Sequence, residues 1–396
     1  MIFLALKMLL GDRTKYAGLL FGVAFTSFLV TFAASYFGGM MTRSFALVAE
    51  TPADVWIMDP AVVAVDQTTN LTDSALNRVR SVEGVRSAVP LVLATADARF
   101  PNGRFQSLQV IGVDDASLIG VPPMEDGVLA TELRGPDSAV VDPGGTTGKL
   151  ETPALTQDQW PWAGPRLNGP TRPLARGDEL LINDARVVIV GRSNSLPRFP
   201  PRPLLYTTLS NAERILLPER RRVTFILATT AAGANPREVA SRIEAATRLR
   251  ARSSEDFKAD TVRWMAANSE DVGDAITMLT IAMLVGFGVT GVMMFMFTTE
   301  NLKHYAVLGA MGATTRQLLA AIIVQAGLAG LVGAGIGLGL CAAAGRIFTT
   351  YDFPYRMLWF APALSGAAVV LVSVAAAAIS TRPLLKMRPS AFLAGR

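Results

Sequence analysis

Several stretches of this chain have the residue types and spacing of chemical motifs, and each is refused by its context. Gly144-Gly-Thr-Thr-Gly-Lys149 looks like a phosphate-binding loop. That loop needs one more residue before its Gly-Lys pair and a Ser or Thr after the lysine to hold magnesium. Here the spacing is short and Leu150 follows, so a turn is expected. Gly286-Phe-Gly-Val-Thr-Gly291 has the spacing of a dinucleotide fingerprint. The fingerprint needs a strand before it and a helix opening at its second glycine. These glycines lie inside an uninterrupted apolar run, which reads as helix packing. The chain has one histidine, His304, and one cysteine, Cys341. Together they cannot supply a His/Cys zinc site, and a Ser-His-Asp set would have to be built on His304 alone. The acidic pairs Asp114-Asp115 and Glu125-Asp126 read as solvated surface rather than a calcium site. Asn70-Leu-Thr72 is a glycosylation sequon of the kind chance supplies in a chain of this length. No catalytic residue, no metal site and no cofactor in this chain are predicted.

The most sharply patterned stretch is Thr298–Ala321, TTENLKHYAVLGAMGATTRQLLAA, between two long apolar runs. Glu300, Lys303 and His304 precede a small-residue turn, Gly309-Ala-Met-Gly-Ala313. Thr314 and Gln317 have capping-box spacing, in which a hydroxyl and an amide satisfy free amides at a helix start. One helix is therefore predicted to end over Gly309–Gly312 and another to begin at about Thr314. So short a loop has no core of its own. Either it is a solvated hairpin, or its small and polar residues dock on something outside the bilayer.

The segment resembles the signature of the MacB/FtsX-type permeases of ABC transporters, in the DevC/LolC-like arrangement without a fused ATPase domain. The match rests on Glu300, Lys303, His304, Val307, Leu308, Ala310, Gly312, Ala313, Thr315, Arg316 and Gln317. One departure is that Lys-His-Tyr replaces a basic-acidic-Ile pattern, which removes a carboxylate beside Tyr305. The resemblance implies a coupling loop whose ATPase contacts are Glu300, Lys303, His304, Gly309, Ala310, Gly312, Ala313, Thr314, Arg316 and Gln317. It also implies a separate ABC ATPase subunit carrying ATP and magnesium, and a second permease copy, as a homodimer. Beyond the membrane it implies a membrane-fusion adaptor and an outer-membrane duct. The implied activity is export from the periplasmic side of a bacterial inner membrane, by motion passed through the bilayer. Lipid or lipoprotein extraction of the LolC type is an alternative. FtsX-like regulation of a cell-wall hydrolase is another, although those proteins carry smaller outer domains.

These residues must be positioned by membrane spans and a polar lobe. The chain has 396 residues, 51% hydrophobic, with a mean hydropathy of +0.36. That is too apolar for an ordinary soluble protein and too polar for one wholly in lipid. The net charge of +5 comes without a dense basic stripe, so nucleic acid is not an expected partner; membrane lipid is. Residues 1–15 read as a cytoplasmic interfacial helix with Lys7 reaching headgroups. Residues 16–42 carry no charge and are long enough to span. Residues 272–299, 317–345 and 357–381 are the other predicted spans. Residues 300–316 are the coupling loop, 346–356 an outer loop and 382–396 a cytoplasmic tail with Arg382-Pro and Arg388-Pro. Gly18 and Gly22, and Gly333 and Gly337, have small-xxx-small spacing for helix packing. Ser27 and Thr31 are expected to bond back to their own helix. Gln325, the one strongly polar side chain deep in these spans, is expected at a helix contact.

Residues 43–271 form the predicted extracytoplasmic lobe. Strands are expected at Asp54–Asp59, Val85–Ala96 and Phe105–Val113, with a helix over Thr72–Arg80. A strand at Val223–Ala228, a helix from Asn235 to Leu249 and a last strand at Lys258–Met265 mirror them. Between them a Pro/Gly-rich insertion, about 114–217, has strand signals at Ser138–Val141, Glu179–Val190 and Leu204–Thr208. It reads as a small β-rich subdomain, with Trp160 and Trp162 in an irregular loop packed on its own domain. The fold class is thus an α-helical membrane protein with four transmembrane helices. Its large α+β domain, a MacB-like periplasmic core by resemblance, lies between the first and second. Lys and Arg flank the spans at Lys7, Arg13, Lys15, Lys303, Arg316, Arg382, Lys386, Arg388 and Arg396, against Arg346 and Arg356 on the other side. This bias puts both termini and the central loop in the cytoplasm.

Overall fold

A chargeless stretch can satisfy its backbone in lipid only by coiling into a helix. In the computed structural model the first such stretch, residues 16–42, forms the body of α1, Arg13–Ser44. The structure describes residues 13–125, 127–154, 168–220, 222–301, 304–305, 307–308 and 311–380. Met1–Asp12 of the expected interfacial helix, the Trp160–Trp162 loop, Asp126 and the 382–396 tail lie outside the described residues. The chain divides into two units, one of Met1–Met40 with Glu270–Arg396, the other Met41–Ser269.

The second unit runs α2 (Ala46–Glu50), β1 (Val55–Met58), α3 (Ala75–Arg80), β2 (Val85–Arg99) and β3 (Phe105–Val113). It continues with β4 (Ser138–Asp142), β5 (Glu151–Pro153), β6 (Thr171–Pro173), β7 (Glu179–Ile182), β8 (Ala185–Arg192) and β9 (Leu204–Thr208). It closes with α4 (Leu209–Ile215), β10 (Phe225–Thr230), α5 (Pro236–Thr247), β11 (Arg250–Ser253) and α6 (Ser254–Asn268). Nine strands share one sheet in the order β11-β1-β10-β2-β3-β9-β4-β8-β7, and β7 pairs back onto β2. The six strands from β2 to β7 therefore close a ring. The hinge is β2, 15 residues long. Its first half pairs with β10 up to Leu91, and its end, Ala98–Arg99, pairs with β7.

Period-two alternation sends each strand face to its own core. In β1, Val55 and Ile57 pack with Val79, Val239 and Ile243 of α3 and α5. Trp56 and Met58 point the other way, to Phe225, Phe257 and Leu47. Both faces of β1 are covered, so all four residues are buried. The ring has its own core around Phe100, Leu108, Val141, Ile182, Ile189 and Leu205.

Two expectations are corrected here. The insertion is not a separate β-rich subdomain, because β4, β7, β8 and β9 join the sheet of β2 and β3, with β9 parallel to β3. Lys258–Met265 is not a strand but part of α6. Ser253 caps that helix, accepting from the Asp256 amide at 3.2 Å. The buried Phe257, Thr261 and Met265 recur at i, i+4 and i+8, a helical stripe.

The other unit holds α1 with α7 (Glu270–Glu300), α8 (Thr315–Thr349) and α9 (Ala361–Ser380). All four are long and apolar enough to cross a membrane. α9 starts at Ala361 rather than at residue 357 because Pro362 is tolerated only in a first turn. The helices meet at glycines. A Cβ at Gly22 would come within 2.9 Å of Met293, at Gly333 within 2.6 Å of Val23, and at Gly337 within 2.4 Å of the Ala24 carbonyl. Gly18 is corrected: it is exposed with open space around it, so it packs no helix among the described residues. Close approach also changes where hydroxyls bond. Ser27 donates to Ala334 O at 3.1 Å and Thr31 shares a bond with Ser365 at 2.7 Å, across helices rather than within their own. Thr26 donates to Gly286 O at 2.7 Å, and Thr290 donates to Thr26 at 2.9 Å.

Candidate functional site

The site is the Glu300–Gln317 connection between α7 and α8. α7 stops where Asn301 turns its side-chain amide onto the Phe297 carbonyl, 2.8 Å away, one of the acceptors a helix end leaves open. A short helical stretch follows, containing His304, Tyr305, Val307 and Leu308. Gly312 ends it at φ +100°, a left-handed conformation that costs glycine little. Just beyond, the Ala313 amide reaches back to Leu308 O at 3.1 Å, the wide bond of a Schellman turn. Thr314 and Gln317 then close the predicted capping box. Thr314 N donates to Gln317 Oε1 at 2.9 Å, and Gln317 N donates to Thr314 Oγ1 at 3.4 Å.

Among the described residues, Tyr305 ties the loop to α8 by a buried hydrogen bond. Tyr305 is 1% exposed and its hydroxyl donates to Oε1 of Gln325, itself buried. Burial pushes the Tyr305 phenol above its ordinary range, with the Gln325 bond opposing. The phenol is therefore neutral and keeps the proton it donates. Leu308 and Ala313 pack beside Tyr305 against Leu318 and Ile322.

What faces outward is a small, mixed surface. Glu300, His304, Gly312, Thr314, Arg316 and Gln317 are exposed together. Between them protrude two apolar side chains, Val307 and Met311, one turn apart. Lys303, Gly309 and Ala310 lie outside the described residues. Ala313 is half-buried and packs partly against the core. The sequence reading missed Tyr305 as the anchor and Met311 as a protruding group. The signals were present: an aromatic hydroxyl near a deep glutamine, and apolar residues at i and i+4 in a polar loop.

The described residues hold no group of three or more His, Cys, Asp or Glu placed to bind a metal ion. In the other unit, the buried charges serve structure. Glu50 pairs with Arg198 at 3.0 Å, and Arg198 donates to the Tyr206 hydroxyl at 2.7 Å. Burial pushes the Glu50 carboxyl up despite that partner and pushes Tyr206 to about 12. Asp142 accepts from Ser195 N at 2.8 Å and from Gly144 N at 2.7 Å, so the Gly144 turn is clamped to β4 rather than opened for phosphate.

Residues 276–389, which contain the loop and its flanking spans, match the family model of the FtsX-like permease C-terminal domain. Residues 276–389 therefore carry an FtsX-like permease C-terminal domain. The resemblance first read at Glu300–Gln317 is thereby met by a match that extends through α8 and α9. No curated protein matches the chain in sequence. Among solved structures it is similar to the periplasmic region of MacB from Actinobacillus actinomycetemcomitans, at 12% identity and a TM-score of 0.36, over 56% of this chain and 96% of that one. It is also similar to the extracellular domain of the noncanonic ABC-type transporter YknZ from Gram-positive bacteria, at 11% identity and a TM-score of 0.33, over 51% and 99%. A third is a domain of a putative permease protein from Porphyromonas gingivalis, at 14% identity and a TM-score of 0.30, over 51% and 90%.

Proposed function

We propose that the permease is the membrane subunit of an ABC transporter. It takes ATP-driven motion from a separate ATPase subunit at the Glu300–Gln317 loop. It passes that motion across a bacterial inner membrane to the Met41–Ser269 domain, which drives a substrate outward from the periplasmic side. ATP and magnesium belong to the ATPase. A second copy of the chain, a membrane-fusion adaptor and an outer-membrane duct complete the assembly.

The observation that carries this reading is the build of the loop. A part that receives a push must not yield. This one is held by a buried Tyr305–Gln325 bond, a left-handed glycine stop and a reciprocal cap on α8. It presents Val307 and Met311 in a polar rim, the make-up of a small protein contact. The lysines and arginines beside the span ends support a cytoplasmic loop and termini. With the loop inside, Met41–Ser269 lies outside, because one span separates it from each cytoplasmic segment.

The test is affinity purification of the tagged, full-length permease from its native membranes, with bound ATP-hydrolysing activity as the readout. Met311→Asp puts a charge into the apolar centre, and Gly312→Trp adds bulk at the turn. Both are expected to insert at wild-type levels and to lose most of the bound ATPase. Wild-type recovery of ATPase by both variants would mean that the contact lies elsewhere.

A further inference from the structure

The turn between α8 and α9 carries chemistry that the transport reading does not use. Its inner aromatics are packed. Phe353 stacks on Tyr36 at 5.0 Å and meets Phe348 at 5.4 Å. Arg356 N donates to Ser35 O at 3.0 Å. The strap lies on glycines: a Cβ at Gly39 would sit 2.2 Å from the Pro354 carbonyl oxygen, and one at Gly345 would sit 2.2 Å from the Tyr355 ring. The turn is therefore a built element with a fixed outer surface.

That outer surface is unusual in what it exposes. Trp359 is 88% exposed and Tyr351 76% exposed, with Phe360 beside Trp359 in an edge-on pair at 5.8 Å. Arg346, in the last turn of α8, and Arg356, within the turn, are exposed as well. Large aromatic rings left in water cost free energy, so something covers them. Chain position says what. α8 ends at Thr349 and α9 begins at Ala361, so residues 350–360 sit where two apolar helices meet the membrane boundary. α8 has its other end at the Glu300–Gln317 loop, which places this turn at the opposite face of the bilayer. Trp and Tyr unite an apolar ring with a polar edge, the combination that settles at headgroup depth. Arginines beside them meet phosphate oxygens in paired hydrogen bonds.

We infer that the 346–360 turn is a phospholipid-interface anchor. Trp359 and Tyr351 lie at the glycerol level of the leaflet opposite the Glu300–Gln317 loop, and Arg346 and Arg356 hold anionic lipid phosphates. The anchor fixes the depth of the α8–α9 pair. Motion entering at the opposite end of α8 then moves that pair against the leaflet instead of letting it bob.

The test uses the full-length permease in vesicles of phosphatidylcholine and phosphatidylglycerol. The lipids are brominated either near the headgroup end of the acyl chain or near its tip. The emission of Trp359 is the difference between wild type and Trp359→Phe. It should be quenched more by the shallow bromines than by the deep ones. Absence of quenching means that protein, a second copy included, covers the ring, and overturns the anchor. Stronger quenching by the deep bromines overturns its placement at the interface. With only the phosphatidylglycerol brominated, quenching reports how far that lipid is enriched at the site. Arg346→Gln with Arg356→Gln should reduce that enrichment, by about fivefold for each arginine. Unchanged enrichment overturns the phosphate role.

Discussion

The stiffness of the Glu300–Gln317 loop rests largely on one hydroxyl. Tyr305 and Gln325 are both buried, and each has a polar group that would cost free energy if left alone. Gln325→Leu should therefore destabilise the protein by about 1–3 kcal/mol through the orphaned Tyr305 hydroxyl. Adding Tyr305→Phe should recover part of that loss. Thermal unfolding of the detergent-solubilised protein measures both, and a double variant no better than the single one would show that the bond is not what holds the loop. Asp256 offers a residue-scale test in the other unit. Its carboxyl lies below its ordinary value of 3.8 because the Ser253 hydroxyl donates to it and Arg237 grips it, with burial opposing. A carboxylate shifted this way contributes stability above pH 3.8, and the contribution fades as pH falls through the lowered folded value. Asp256→Asn should cost up to about 1 kcal/mol at pH 7, the scale of a lost first-turn negative charge and an exposed ion pair. It should also flatten the acid-side loss of stability, which a pH series of unfolding curves reads directly.

At the scale of elements, the third span shows how a glycine-rich helix sorts its faces. Gly333 and Gly337, four residues apart, lie against Val23, Ala24 and Ser27 of α1, whereas Gly335 and Gly339 meet none of the described residues within 4 Å. The sequence shows all four as an alternating row, and only the 3.6-residue turn separates them. Gly337→Leu should push α8 off α1 and lower the unfolding temperature by several degrees, since overpacking costs about 1–3 kcal/mol. Gly339→Leu should be tolerated. Comparable destabilisation by both would mean that the row acts through helix propensity and not through contact. The hydroxyls of Thr26, Ser27 and Thr31 follow from the same close approach, because a bare glycine backbone lets a neighbour reach a carbonyl or another hydroxyl.

At the scale of the molecule, two units meet different solvents. Met41–Ser269 has three cores of its own, and its strands close a ring through β2 and β7. Expressed alone, residues 41–269 should fold as a soluble protein with a cooperative unfolding transition by circular dichroism. Failure to fold without the spans would mean that the strand ring depends on the helices. In the proposed mechanism this domain must move as a body, and a closed ring of strands suits that, since it leaves few unpaired edges to deform.

The sequence alone determined what depends on solvent and on local geometry. The four apolar runs had to be helices because lipid offers no other partner for backbone amides. Gly312, Thr314 and Gln317 announced a stop and a start because those residue types satisfy helix ends within a few positions of themselves. Strands such as Phe105–Val113 and Leu204–Thr208 were legible from alternation and β-branched content. Only the tertiary structure decided which strands pair, so the insertion proved to be part of one sheet and not a separate subdomain. It alone turned Lys258–Met265 into a helix, set Gly18 apart from Gly22, and joined Tyr305 to Gln325. Each of these depends on contacts between residues distant in the chain, or on which face a neighbour covers, and a local pattern carries neither.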